Sequence, residues 1–444
     1  MKRCRLPLAI ALGAFTALLV MACGSAQRAS DLLPETAVTS IVSAITEGNI
    51  EGKSDSSRDK PNFLSTRGNK IVDSEGNEVR ITGVNWFGME TGTFAPHGLW
   101  SRNWEEMLDQ IADLGFNTIR LPYSSQLFDP ESRTKADSIE FEINPDLKGL
   151  TGLEVMDKII EGAGKRGLKV ILDRHRPDVE AQSKLWYTEK YTEERWINDW
   201  VMLAKRYKGN DTVIGADLHN EPAGNATWGS GDPKTDWRMA AEKAGNAILE
   251  ANPDWLIIVE GIEKTNNDKD WYWMGGNLAD VAKHPINLKV PNKLVYSPHD
   301  YGPEVYMQGW FKEANFPANL PSVWDAHWGF ISKQGIAPVL LGEFGGKTFD
   351  EKELGGKWIR SLMAYLQDNS MHFTYWCINP NSGDTGGILD EDWATPHKEK
   401  IDFLSKFLSP KMRVANPSQI DKSVKPAGYV ETAPIEEGAP PIPE

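Results

Sequence analysis

Two glutamates stand where a charged group is least expected. Glu221 follows the apolar run "VIGADLHN" and sits between Asn220 and Pro222; Glu343 follows "PVLLG". Either alone suits a loop cap or a partner for lysine. Two in the same setting, with Arg120, His175, His299, Tyr301 and Trp376 ending other apolar runs, point to a site. A pair of carboxyl groups can protonate a leaving oxygen with one member while the other attacks carbon or activates water. Glycoside cleavage needs that equipment. A gap of about 5 Å between the two groups goes with retention of configuration, and roughly 6.5–9.5 Å with inversion.

The histidines admit two uses. Asp173 and His175 are two apart in "ILDRH" and so point to the same side of a strand; His219 and His299 lie at other run ends. They suit metal ligation or a hydrogen-bonding network that orients the carboxylates. The network is the expectation, because the first run, "GVNWFG", supplies only Asn85. No metal and no cofactor are called for.

The elements that must position these residues follow a clear order. "STRGNKIVDSEGNEVRI" reads as a hairpin turning at 74–77. Eight short apolar runs come next, from "VRITGVNWFG" to "HFTYWCINP", most of them separated by helical patterns. In "NWEEMLDQIADLG", Trp104, Met107, Leu108, Ile111 and Leu114 share a face, Asn103 and Glu106 form a capping-box pair, and Gly115 marks the stop. In "LEVMDKIIEGAGKRG", Met156, Ile159, Ile160 and Ala163 face inward. Continuous apolar strands between helices predict a parallel sheet covered on both faces, and eight units predict a (β/α)₈ TIM barrel with a short N-terminal hairpin cap. A doubly wound sheet is the runner-up, but no glycine-rich phosphate turn follows the first strand. In a barrel, runs four and seven lie across the mouth from each other, so Glu221 and Glu343 can converge.

The chain has 444 residues and a net charge of −15, which argues against nucleic acid or an anionic membrane surface as partner. Its 17 Trp, many outside periodic patterns, suggest platforms for sugar rings. Cys4, Cys23 and Cys377 are too few for a disulfide framework. Lys2, Arg3 and Arg5 followed by an apolar stretch read as an export signal over residues 1–22. "LVMACGS" resembles a bacterial lipobox with Cys23 as the lipidated residue; Met21 departs from that pattern, and ordinary cleavage or an uncleaved anchor are the alternatives. Residues 23–61 read as a polar tether, 62–412 as the catalytic domain, and 413–444 as a Pro-rich acidic tail without fixed structure. A monomer, attached to membrane only through that lipid, is expected.

"NTIRLP", "ILDRHRPD", "DLHNEP", "YSPHDYG", "LGEFG" and "NPNSGDTGGILDEDW" together resemble the family 5 glycoside hydrolases, and within them the bacterial endo-β-1,4-glucanases, from about residue 64 to about 410. The resemblance implies a retaining double displacement on β-1,4-glucan, with mannan, xyloglucan or mixed-linkage glucan as variants of the same machinery. By match, Glu221 is the acid/base and Glu343 the nucleophile. Asn220 holds the sugar 2-hydroxyl, and Arg120 keeps Glu343 ionised. His175, His299 and Tyr301 line the −1 subsite, Trp376 supports the sugar there, and Trp86 and Trp273 are further platforms. Desolvation at the strand end is expected to raise the Glu221 pKa, as an acid requires. Cys377 departs from the serine usual after that tryptophan, where the family has a cis peptide. A catalytically dead carbohydrate-binding protein and a metal-dependent barrel hydrolase are the readings from other classes.

Overall fold

The computed structural model describes residues 60–135, 137–265 and 270–428. The export signal, Cys23 and the tether up to residue 59 lie outside the described residues. Among those described, no helix is long and apolar enough to cross a membrane.

All eight predicted runs form parallel strands of one sheet. They are β4 (Thr82–Asn85), β5 (Thr118–Ser124), β6 (Lys169–Arg176), β7 (Val213–Asp217), β8 (Leu256–Glu260), β9 (Leu294–Ser297), β10 (Leu340–Leu341) and β11 (His372–Tyr375). Each pairs with its sequence neighbour from β4 to β9, and β11 pairs with both β10 and β4. Parallel bridges between Tyr296 and Val339 and between His299 and Glu343 close the remaining gap, completing the barrel. The strands are almost wholly buried, and apolar over most of their length, because the barrel core covers one face and helices the other.

The helices obey their local signals. In α1 (Trp104–Asp113), the Asn103 side chain accepts from the backbone N–H groups of Glu105 and Glu106. The expected reciprocal arm of the capping box is missing: Glu106 instead approaches Arg102 at 4.0 Å. α2 (Gly152–Lys165) does carry a full capping box, between Thr151 and Glu154. α3 (Glu193–Arg206) and α4 (Trp237–Ala251) turn tryptophans onto the strand ends. The Leu218 carbonyl accepts from Trp196 Nε1 at 2.9 Å and Trp200 Nε1 at 3.1 Å. Trp237 Nε1 donates to the Glu260 carbonyl at 2.9 Å. These indoles serve backbone groups that the ladder leaves unpaired past β7 and β8.

The N-terminal cap has three strands rather than two: β1 (Ser65–Arg67), β2 (Lys70–Val72) and β3 (Glu78–Val79). Leu64 and Ile71 pack with Ile171, Ile214, Leu256, Ile258, Val295 and Leu340 near the lower strand ends, joined by Met412. That apolar plug is the floor of the barrel.

The expected unstructured tail from 413 is corrected for residues 413–428, which pack on the barrel's lower side. The reason is a buried carboxylate. Asp211 accepts from the backbone N–H of Asn62 at 2.8 Å, of Ala415 at 2.9 Å and of Asn416 at 2.7 Å, so both ends of the domain tie to one side chain. Arg206 Nη1 adds a bond to the Val424 carbonyl at 2.6 Å. A chain ending at Met412 removes the Ala415 and Asn416 donors from the buried Asp211 and should lose roughly 2–4 kcal/mol of stability, read as a lower denaturant midpoint.

Candidate active site

Strand alternation builds the site in tiers. On β8, Leu256 and Ile258 belong to the floor cluster while Ile257 and Val259 face the helices, so Glu260 is the next inward residue. On β6 the same period places Asp173 and His175 above Ile171. On β5, Ile119 and Leu121 face outward and Arg120 faces in. The tier above the apolar floor is therefore charged.

Arg120 is its centre and is fully buried. Nε bonds Asp217 at 2.8 Å, Nη1 bonds Glu343 at 2.6 Å and Asn85 at 3.0 Å, and Nη2 bonds Asn220 and Glu260, each at 3.1 Å. Asp173 also lies 3.1 Å from Nη2. Burial works against the guanidinium charge, but the carboxylates of Asp173, Asp217, Glu343 and Glu260 hold its pKa well above the ordinary value. Burial in turn lifts Asp173 and Asp217 to about 6 each.

The upper tier faces the cleft. Glu343 receives Arg120 on Oε1 and the Tyr301 hydroxyl on Oε2 at 2.7 Å. Burial first, then the Glu343 charge, holds the Tyr301 phenol well above its ordinary pKa, so it remains a donor. Glu221 receives His299 Nδ1 on Oε1 at 3.0 Å and Gln182 Nε2 on Oε2 at 3.0 Å. One carboxylate oxygen of Glu221, one of Glu343 and a ring nitrogen of His299 all lie within 4.8 Å of one another. His175 donates from Nδ1 to Asp173 at 2.6 Å; burial lowers its pKa to about 3, so the ring is neutral.

The expected raised pKa of Glu221 is corrected. Burial does push it up, but the hydrogen bond from His299 and the charge on that ring outweigh it, and the pKa is lowered. His299 moves the opposite way. Burial opposes its charge, but Glu260, Glu343 and the bond to Glu221 raise it well above its ordinary value. Both shifts favour an imidazolium beside a carboxylate.

The cleft encloses about 760 Å³, and His175, Asn220, Glu221, Tyr301, Glu343, Trp273 and Trp376 all line it. The Trp376 ring stacks on His175 at 5.5 Å and on Phe87 at 5.4 Å, and its peptide to the buried Cys377 is cis. Trp86 is a correction: it is fully buried, and its Nε1 donates to the His97 carbonyl at 3.0 Å. It follows Asn85, which faces into the barrel, so the alternation turns it away from the cleft. The wider tryptophan argument is corrected too, since ten of the 17 are fully buried in packing roles. His219 points away as well, with Nδ1 2.9 Å from Arg174 Nη1.

Several participants were not read from sequence. Glu260 and Asp217 had a signal, namely inward alternation. Gln182 had none, since it reaches Glu221 from a loop. Trp271 and Tyr306 are cleft residues 53% and 64% exposed, on loops whose paths sequence does not specify. Gly275 was missed for the same reason. Its φ is +68°, and a Cβ there would lie 2.4 Å from Glu260 Oε2 and 3.1 Å from Glu221 Cα.

Three sets have metal-ligand spacing: Asp173–His175–Glu343, Glu221–His299–Glu343 and Asp173–Asp217–Glu260. In the third, Arg120 already contacts every member, within 3.1 Å. In the other two, Arg120, Tyr301 and Gln182 occupy carboxylate oxygens. The arrangement fits a hydrogen-bonded network. Gly275→Ala should fold yet lose activity by roughly 100-fold, because displacing the reacting group by about 1 Å suffices for that; kcat/KM beside a circular dichroism spectrum checks it.

A sequence model of "Cellulase (glycosyl hydrolase family 5)" matches residues 72–382. An endoglucanase of Paenibacillus polymyxa is 56% identical over 358 residues, 80% of this chain and 90% of the relative. The major extracellular endoglucanase of Xanthomonas campestris pv. campestris is 45% identical over 341 residues, 76% of this chain and 69% of the relative. Among solved structures, a hyperthermophilic endocellulase of Pyrococcus horikoshii superposes with a TM-score of 0.74 at 43% identity, covering 79% of this chain and 99% of that one. A complex of a Pyrococcus horikoshii endocellulase with cellotetraose matches with a TM-score of 0.73, again at 43% identity over 79% of this chain and 99% of that one. Barrel, cleft and these matches agree: the chain belongs to the cellulase family, glycosyl hydrolase family 5.

Proposed function

We propose that the chain is an endo-β-1,4-glucanase that hydrolyses internal bonds of cellulose or related β-glucans with retention of configuration. The observation that carries the retaining reading is the gap of at most 4.8 Å between carboxylate oxygens of Glu221 and Glu343. That close approach is shorter than the gap an inverting pair keeps for its water, which supports direct attack by the carboxylate. The substrate class rests on family membership and on the cellotetraose held by the Pyrococcus relative.

Glu343 is the nucleophile. Arg120 and Tyr301 hold its two oxygens, so its attacking atom is aimed before substrate arrives and needs no reorganisation. Glu221 is the acid/base: it protonates the departing oxygen and later takes a proton from water. Asn220, oriented by Arg120, meets the 2-hydroxyl, where contacts strengthen in the transition state. Trp376 offers its ring face to the same sugar, and Trp273 to its neighbour. Both are cleft residues, and flat apolar rings suit the axial C–H face of glucose. His175, kept neutral, is a hydrogen-bonding group of that subsite.

Export is part of the proposal. The basic and apolar N-terminus and the extracellular relative in Xanthomonas support it. Cys23 is the proposed lipid attachment point, 23–61 the tether, and the enzyme works as a monomer at the cell surface or free outside. Radiolabelled palmitate incorporated by the wild type and lost in Cys23→Ala checks the anchor.

Glu343→Ala should fold and release no reducing ends from soluble cellulose, while Glu221→Ala should lose roughly 10²–10⁴-fold in rate on natural substrate. A product time course on a cello-oligosaccharide, followed by NMR, should show internal cuts and β-anomers first. Initial α-anomers would refute retention, and activity lost to a chelator and restored by metal would refute the metal-free scheme.

A further inference from the structure

One carboxylate inside the barrel has no task in the scheme above. Glu260 is fully buried and is absent from the cleft lining, so substrate does not touch it. Its contacts are nonetheless aimed at the acid/base. Oε2 accepts the backbone N–H of Glu221 at 2.7 Å. Oε1 lies 3.1 Å from Arg120 Nη2 and 3.3 Å from His299 Nε2. The imidazole N–H is not aligned on Oε1 well enough for a hydrogen bond, so that contact is an ion pair. Burial pushes the Glu260 carboxyl well above its ordinary pKa, against the pull of His299 and Arg120; the geometry favours the ionised form all the same, because all three neighbours are donors and a protonated carboxyl would turn its own hydrogen against one of them.

Two further features mark the place. Glu221 has φ +53°, a left-handed conformation that side chains other than glycine avoid, and the bond from its N–H to Glu260 holds it there. Gly275 packs against both residues, and Gly342 approaches His299 so closely that a Cβ would lie 2.9 Å from Nε2. The chain has cleared space around this group on two sides.

We propose that Glu260 is a positioning residue for proton transfer: one oxygen fixes the backbone of Glu221 and the other fixes the ring of His299, so that the Nδ1 proton of His299 is the one delivered to the leaving group. The inference rests on the reading of Glu221 as acid/base. In the first step the His299 Nδ1–H bond breaks as a Glu221 Oε1–H bond forms, and the ring becomes neutral while keeping its Nε2–H beside Glu260. Glu221 then passes the proton to the glycosidic oxygen as the C–O bond breaks and the leaving chain departs as an alcohol. In the second half-reaction water gives its proton to Glu221, hydroxide oxygen bonds the anomeric carbon, Glu343 is released, and the proton returns to Nδ1.

The groups facing Glu260 and the pair it serves are Arg120 from β5, Asp173 from β6, Asp217 from β7, Glu221 beyond β7, His299 beyond β9 and Glu343 beyond β10. Of these, the negative charge of Glu260 bears most directly on the imidazolium. Removing it lets the Glu221–His299 pair lose its last proton at lower pH, so the alkaline limb of the rate profile moves down.

The test compares Glu260→Gln with wild type on a cello-oligosaccharide and on 2,4-dinitrophenyl cellobioside, whose leaving group needs no proton. The expected result is an alkaline limb of kcat/KM about one pH unit lower and a loss of about 10–100-fold on the oligosaccharide. The loss on the dinitrophenyl glycoside should be much smaller. Equal losses on both substrates with an unmoved limb, or no loss on either, would overturn the proposal. Glu221→Ala in the same assays separates the two readings: if it too loses equally on both substrates, the acid/base assignment fails; if it spares only the activated substrate and Glu260→Gln does not follow, the role of Glu260 alone fails. Should Glu260→Gln not fold, long-range ¹⁵N–¹H NMR on the wild type decides, with both nitrogens of His299 protonated at neutral pH expected and a neutral ring overturning it.

Discussion

The buried guanidinium of Arg120 is the constraint to which the rest of the site conforms. A cation taken out of water is tolerated only when surrounding charges and acceptors compensate it. Here four carboxylates and two amide oxygens do so, drawn from β4, β5's neighbours and the tips of strands on the far side of the barrel. Because the six partners come from five different strands, one side chain sets the relative height of all of them. Glu343 and Asn220, the proposed nucleophile and the proposed contact to the sugar 2-hydroxyl, are two of those partners. Moving either would leave a charge or an amide unpaired in a dry interior, so the geometry for attack is maintained by the same bonds that make the charged tier stable.

Excess negative charge is the second consequence. Asp173, Asp217, Glu260, Glu221 and Glu343 outnumber the cations Arg120 and His299. Burial answers by raising Asp173 and Asp217 to about 6 and by pushing Glu260 up as well, while the same field raises His299. In the proposed scheme, acid chemistry does not depend on a carboxyl group held protonated by an apolar pocket. It depends on a proton stored one hydrogen bond away. The low pKa of Glu221 then suits its second role as a base, and the imidazolium supplies what the first role needs.

Glycines make the crowding possible. Gly275 and Gly342 bring loop and strand backbone against Glu260, Glu221 and His299 where a Cβ has no room. Neither touches substrate in the proposed scheme, yet each limits where a reacting group can stand. At the opposite end of the barrel, Asp211 gathers backbone donors from both ends of the domain, and the three-stranded cap covers the apolar floor. Rigidity below supports precision above.

Much of this was legible in sequence for a physical reason: strands buried on both faces must be apolar, so a polar residue at a run's end is conspicuous. Glu221, Glu343, Arg120, His175, His299, Tyr301 and Trp376 were found that way, and the barrel from the count and alternation of runs. The failures have equally physical causes. Tryptophan is both a sugar platform and a packing residue, and composition cannot separate the two; Trp86, Trp196 and Trp237 proved to be packing. The tail after 412 looked unstructured because its partner, Asp211, lies some two hundred residues earlier. Gln182, Gly275, Trp271 and Tyr306 come from loops, whose paths depend on contacts far away in the chain. The pKa of Glu221 was misjudged because burial is a local property that sequence suggests, whereas the charge on His299 is set by carboxylates from three other strands. Sequence by itself determined which side chains reach the barrel mouth, since period-two alternation and strand ends are local. Only the tertiary structure decided how far apart they stand and where the proton rests, because distance and electrostatic field are sums over strands that meet only when the barrel closes.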